Sequence, residues 1–107
     1  MTTTVREVFE AMPKSFQKAA AAGLKAVIQF DITGDGGGKW YAAIDDGSLV
    51  LTEGAHDKAT LTITASADDY LAISSGALNA QLAFMTGKIR ASGDLGLAMK
   101  MPALFKA

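Results

Sequence analysis

The chain has 107 residues, 50% of them hydrophobic and 20% charged, and a formal net charge of −1. That is enough for one ordinary domain, 1–107, with one core. The composition argues against disorder, and with no basic excess a nucleic-acid partner is not expected. There is no cysteine, and His56 is the only histidine. Disulfides, thiolate zinc sites, iron–sulfur ligation, a cysteine nucleophile and multi-histidine metal sites are thereby excluded, and neither a metal nor a cofactor is expected.

Met1 to Glu7 lacks a basic run followed by an apolar one, so a secretory leader is not expected and a cytoplasmic location is. Thr4 and Glu7 form a capping box, and Val5, Val8, Phe9 and Met12 repeat at helical spacing behind it. Pro13 suits the first position of a second short helix, with Phe16, Ala19 and Ala20, stopping near Gly23. The period then changes to two. Residues 27–33 put Ile28, Phe30 and Ile32 on one face and Gln29, Asp31 and Thr33 on the other. Residues 39–45 alternate likewise, with Trp40, Ala42 and Ile44 on one face. The glycine loop 34–38 joins these strands as a hairpin, and Asp46-Gly47 is a tight-turn signal into a third strand, 49–53. In the fourth strand, 59–65, Thr60, Thr62 and Thr64 alternate with Leu61 and Ile63, so one face of the sheet is wet and the other covered.

Ser66 caps a helix that Gly76 ends, and Asn79 caps another that ends at Gly87. The uncharged stretch 70–87 has the length of a membrane span, but Ser74, Ser75, Gly76, Asn79 and Gln81 argue against one. Ile89 and Ala91 mark a fifth strand, and Asp94 caps a final helix running towards Pro102. The order α-α-β-β-β-β-α-α-β-α predicts an α+β domain. Its sheet is five-stranded and mostly antiparallel, with about five helices covering one face. Two helices between the fourth and fifth strands would allow a right-handed crossover between parallel neighbours.

Catalytic motifs are not found. The glycine loop joins two strands rather than opening a helix, and its spacing fits neither a P-loop nor a dinucleotide fingerprint. A calcium loop would need a glutamate where Ala42 stands. His56 reads as a solvated turn histidine, and Asp45-Asp46 and Asp68-Asp69 as turn and helix-start acids. No nucleophile–base pair is available, so the chain is read as a non-enzyme. The unusual feature is apolar: Leu95, Leu97, Met99, Met101, Leu104 and Phe105 cover nearly every face of the last helix, with only Lys100 and Lys106 as charges. A deeply packed helix, a dimer contact, and a helix lining a lipid cavity all fit that pattern. The methionines would suit varied apolar shapes.

Residues 79–94, Asn-Ala-Gln-Leu-Ala-Phe-Met-Thr-Gly-Lys-Ile-Arg-Ala-Ser-Gly-Asp, resemble the signature of the sterol carrier protein type 2 family, and Leu97 to Lys100 continue it. Phe30-Asp31 with Trp40-Tyr41, and the stretch 59–70, resemble its strands upstream. The resemblance implies helices over one sheet face with an apolar tunnel between. It implies a lipid-binding or lipid-transfer protein for fatty acids, acyl-CoA, phospholipids or sterol-like ligands. The C-terminal Phe105-Lys106-Ala107 is not a peroxisomal address, so a stand-alone cytoplasmic member, monomer or weak dimer, with transient membrane contact is expected. On this resemblance the tunnel lining is Phe16, Leu71, Leu78, Leu82, Met85, Leu95, Met99 and Phe105, with Gln81 as a polar point on the stripe of Leu78, Leu82 and Met85. Met12 and Leu24 are assigned to the core. The rivals are a non-lipid module dimerising through the last helix, and an accessory acyl-presenting domain for an acyl-CoA enzyme.

Overall fold

Helix α1 (Val5–Ser15) begins where its capping residues put it. The Glu7 amide donates to Thr4 Oγ1 at 3.2 Å, and that hydroxyl donates back to the Glu7 carboxylate at 3.3 Å. One of the helix's unpaired amides is thus satisfied. The computed structural model describes residues 4–104, without the side chains of Ser15, Ala80, Gln81, Met101, Pro102 and Ala103. Pro13 lies inside α1 rather than opening a second helix. A proline there cannot donate to the Phe9 carbonyl one turn back, and the helix ends two residues later. Beyond α1 the chain makes only a single 3-10 turn, Lys18–Ala21. The described residues therefore form four α-helices, not five: α1, α2 (Ala67–Ser75), α3 (Ala80–Met85) and α4 (Leu95–Leu104).

Strands β1 (Lys25–Thr33), β2 (Gly38–Asp45), β3 (Ser48–Glu53), β4 (Leu61–Ser66) and β5 (Ile89–Gly93) form one sheet in the order β3-β2-β1-β4-β5. Asp46 and Gly47 have φ of 46° and 86°, the pair of left-handed residues that a tight hairpin of this kind requires. Asp46 Oδ1 also accepts the Gly23 amide at 2.7 Å, tying the turn to the chain before β1. At the other hairpin, a Cβ on Gly37 would collide with the Ile32 carbonyl oxygen, so only glycine fits there.

The parallel pair is β1 with β4, while β4 and β5 run antiparallel. The expected crossover through two helices is therefore wrong. Helices α2 and α3 return the chain to β5 in the opposite direction. The parallel link is instead made by residues 54–60, which carry the chain from the β3 edge past β2 and β1. Gln29 explains where that link runs. It is the one buried polar side chain among the described residues, on the face away from the helices. Its Nε2 donates to the carbonyls of Trp40 and Gly54, each at 3.1 Å, and its Oε1 accepts the His56 amide at 2.7 Å. The face expected to be wet is thus partly roofed by a loop that Gln29 pins.

On the other face, Ile28, Phe30, Ile32, Trp40, Ala42, Ile44, Leu61 and Ile63 form the floor of the core. Phe9 of α1 is fully buried there. Its ring stacks at 5.0 Å on both Trp40 and Tyr70 and meets Phe30 edge-on at 5.3 Å. Burial pushes the Tyr70 phenol well above its ordinary range, because the phenolate would lose its hydration. Ser66 caps α2 through the Asp69 amide at 3.1 Å, and Asp94 caps α4 through the Leu97 amide at 3.2 Å, both as expected.

Candidate functional site: the apolar end at the β5 edge

Helices α3 and α4 both pack against the edge strand β5. In α3 Ala83 is buried and the large residues are not. Ala83 is 0% exposed, while Leu82, Phe84 and Met85 are 58%, 49% and 74% exposed. In α4, Leu97 and Leu104 are buried, while Leu95 and Met99 are 52% and 84% exposed. A sequence apolar on every side does not say which side turns inward. Packing against the 3-10 turn Lys18–Ala21, β4 and β5 selects the row of Leu97 and Leu104, seven residues apart, and leaves Leu95 and Met99, four apart, outside.

Of the residues assigned to the tunnel, Leu82 and Met85 are exposed on α3, and Leu95 and Met99 are exposed on α4. Leu71 and Leu78 are half-buried beside it in the chain, and Leu71 packs on the core. Leu78 does not belong to α3. Its amide donates to the Ala72 carbonyl at 3.0 Å, so it closes the end of α2, and the single helical stripe 78–82–85 does not form. Phe16 is a core residue, as is Met12, the latter as expected, and the next amide, of Gln17, donates to the Leu104 carbonyl of α4 at 2.7 Å. The side chain of Gln81 and all of Phe105 lie outside the described residues. Phe84 was missed, although burial of Ala83 forces its neighbour outward.

Two open hollows stand out among the described residues. One, of about 500 Å³, lies between Pro13, Phe16, Lys18, Ser48, Leu49 and Val50. The other, of about 400 Å³, lies between Thr33, Thr64, Ser66, Asp69, Lys88 and Arg90. Neither is the enclosed apolar tunnel that the resemblance implies, and neither is lined by the exposed residues of α3 and α4. Gly93 ends β5 in a conformation that only glycine fits. Its φ is 108°, and a Cβ there would lie 2.5 Å from the Thr60 carbonyl oxygen.

His56 is held rather than free. Its Nδ1 accepts the Lys58 amide at 3.0 Å, and its ring meets Tyr41 edge-on at 5.1 Å. It belongs to the loop on the sheet face away from the helices. Among the described residues no group of three or more His, Cys, Asp or Glu side chains is placed to hold a metal ion.

Comparison with known proteins gives the same frame. Residues 6–106 match the model of the SCP-2 sterol transfer family. Mouse hydroxysteroid dehydrogenase-like protein 2 is 31% identical over 101 residues, covering 94% of this chain and 21% of its own. Chicken sterol carrier protein 2 is 34% identical over 103 residues, covering 91% of this chain and 19% of its own. The chain thus spans about a fifth of these relatives. A solved structure of Aedes aegypti sterol carrier protein 2 in complex with palmitate superposes with a TM-score of 0.68 at 26% identity, covering 99% of this chain and 100% of that one.

Proposed function

The chain belongs to the SCP-2 sterol transfer family, and from that premise we propose that it is a non-catalytic carrier that holds long apolar tails at the α3–β5–α4 end. The observation that carries this reading is the exposure of large apolar side chains on both helices that pack on β5: Leu82, Phe84 and Met85 around buried Ala83 in α3, and Leu95 and Met99 beside buried Leu97 and Leu104 in α4. Burying one large aliphatic side chain stabilises a fold by about 1.5–3 kcal/mol. This fold forgoes that gain several times over on the two helices that pack on β5, which suits a surface that a ligand completes. The Aedes aegypti protein with palmitate shows what kind of ligand the frame accepts. Fatty acid, acyl-CoA, phospholipid and sterol-like ligands all present such a surface. Leu82, Met85, Leu95 and Met99 are the contacts, with Leu71 and Leu78 at its inner margin, and α4 moves as the lid.

A C16 tail of about 14 methylenes gains roughly 11 kcal/mol gross on leaving water. Immobilisation and chain ordering cost about 4–15 kcal/mol. The balance is moderate affinity with weak discrimination among tails. The absence of a chemical step is supported by His56, whose Nδ1 is occupied and which lies across the sheet from the tail surface. Among the described residues no helix is long and apolar enough to cross a membrane, and a cytoplasmic location belongs to the same proposal. A module dimerising through α4 would draw on the same exposed Met99.

The test is titration with fluorescent fatty acids of increasing chain length, alongside amide exchange of residues 95–104. Saturable binding that tightens with chain length, with protection of α4 rising more than that of β4, supports the carrier. Binding that is independent of chain length overturns it. A ligand-free dimer with α4 already fully protected favours the dimerising module.

A further inference from the structure

We infer that the polar hollow at the C-terminal ends of β1 and β4 binds a small phosphate ester that carries a hydroxyl group, and that this site is separate from the tail surface. The inference goes beyond the carrier reading and does not depend on it. The hollow, of about 400 Å³, is bounded by Thr33, Thr64, Ser66, Asp69, Lys88 and Arg90. That volume falls within the usual range of small-molecule sites, about 300–1,000 Å³. Strands β1 and β4 are the parallel pair, and Thr33 stands opposite Ser66 at their ends. Beyond these two residues the chain parts, into the β1–β2 hairpin on one side and into α2 on the other. Such a parting leaves a crevice at the strand ends. Gln29 pins loop 54–60 over another part of the same sheet face, so the crevice is the part left open.

Two cations are brought to this crevice by backbone that is already fixed. Lys88 follows Gly87, whose φ of 81° terminates α3. The Gly87 amide donates to the Phe84 carbonyl at 3.3 Å and the Lys88 amide to the Ala83 carbonyl at 2.8 Å, the paired bonds of a glycine-ended helix. Arg90 is opposite Thr64 in the β4–β5 ladder, so their side chains leave the sheet on the same face. Both cations are exposed, and the ion pair seen among the described residues, Arg6 with Glu53, is elsewhere. Asp69 therefore lines the hollow with them without forming an ion pair to either. Asp31, the next acid on this face, accepts the Gln29 side-chain amide at 3.3 Å instead. Two hydroxyls of the lining serve the fold: Ser66 Oγ accepts the Asp69 amide at 3.1 Å, and the Thr33 hydroxyl donates to the Ala65 carbonyl at 3.5 Å. What faces the hollow is then two positive charges, one negative charge and the Thr64 hydroxyl. That set repels a metal ion and suits an anion that also carries a donor. Arg90 offers a planar fork, Lys88 a point charge and Thr64 a hydroxyl, and a phosphate has oxygens for all three. The half-buried Asp69 carboxylate accepts from a hydroxyl on the same ligand.

The experiment is an amide NMR titration of the full chain with glycerol 3-phosphate, inorganic phosphate and glycerol. The expected result is saturable shifts confined to residues 33, 64–69 and 87–90, tightest for glycerol 3-phosphate, weaker for phosphate and absent for glycerol. Lys88→Gln and Arg90→Gln should each weaken glycerol 3-phosphate about tenfold. Lys39→Gln, which changes a cation opposite Asp31 on the same face but outside the hollow, should leave it unchanged. Asp69→Asn keeps the amide that Ser66 caps, and should remove the preference for glycerol 3-phosphate without weakening phosphate. An unchanged unfolding midpoint for each variant shows that the fold is intact. Shifts that never saturate, that spread to every surface lysine, or that survive both cation substitutions mean an adventitious ion only and overturn the proposal. Lysophosphatidic acid, the same head on a long tail, separates a free ester from the head of a tailed ligand. It should shift the hollow no more tightly than glycerol 3-phosphate does. Tighter binding that Met99→Ala removes would join the hollow to the tail surface and overturn the separate site. A chain that binds glycerol 3-phosphate but no fatty acid would overturn the carrier reading and leave this site standing.

Discussion

The two ends of the helical layer put similar residues to opposite uses. Over β1 and β2, Phe9 is fully buried with rings on three sides of it. At the β5 edge, Met99 is 84% exposed on a helix of comparable length. Apolar composition is therefore not burial. The first end serves folding, where each ring completes its neighbour's environment. The second buries Ala83 and a single row of leucines, and leaves Leu82, Phe84, Met85, Leu95 and Met99 exposed.

The comparison breaks most directly at Phe9. Phe9→Ala removes a ring from a packed site that cannot collapse, and should cost about 3–5 kcal/mol. Urea or thermal unfolding measures it. A loss below about 1 kcal/mol would mean that the aromatic end is no better packed than the β5 edge.

A smaller effect is expected from the other face of the sheet. Gln29→Leu keeps the size of the side chain but leaves the Gly54 carbonyl and the His56 amide without their partner. Each group left unpaired away from water costs about 1–3 kcal/mol. Amide exchange at residues 54–58 should accelerate in the same variant while α4 is unchanged. If α4 opens with it, the two faces are coupled and the contrast between the ends is not local.

Tyr70 sharpens the picture through pH. Burial raises its folded-state pKa, whereas the unfolded phenol titrates near its ordinary value of about 10. The unfolded chain therefore loses the proton first. The stabilisation is complete below about pH 10 and is lost as pH rises towards the folded value, by about 1.4 kcal/mol per pH unit. Tyr70→Phe should remove that slope. An unchanged alkaline slope would place the ring in water and open the aromatic end.

Much of this frame was legible in the sequence. The caps Thr4, Ser66 and Asp94, the turn at Asp46-Gly47 and the alternation of β1, β2 and β4 are local signals, and each acts within a few residues of itself. Residues 79–94 carried the family resemblance for the same reason. What was not legible depends on distant partners. Gln29 looks like any polar residue on a wet face until a loop from beyond β3 crosses it. The parallel pairing of β1 with β4 follows from that loop and not from the helices beside β4. Leu78 looks like the top of a helical stripe but serves the end of α2. In α4 every face is apolar, so periodicity carries no information about which side is inside, and only the neighbours decide that Leu97 and Leu104 are.

The smallest expected effect tests that last point. Met99→Ala should change the stability of the ligand-free protein by no more than about 0.5 kcal/mol, because a side chain already in water has little packing to lose. Leu97→Ala, on the same helix but buried, should cost about 2–5 kcal/mol by the cavity it leaves. Both keep α4 equally helical, since alanine is the best helix former. The difference between the two therefore reports burial and nothing else. Denaturant unfolding of both variants measures it. If Met99→Ala costs as much as Leu97→Ala, then Met99 is packed in solution, α4 is core on both sides, and the end at β5 is not held open for a ligand. If it costs nothing yet weakens fatty-acid binding, the exposed methionine belongs to the tail surface and not to the fold.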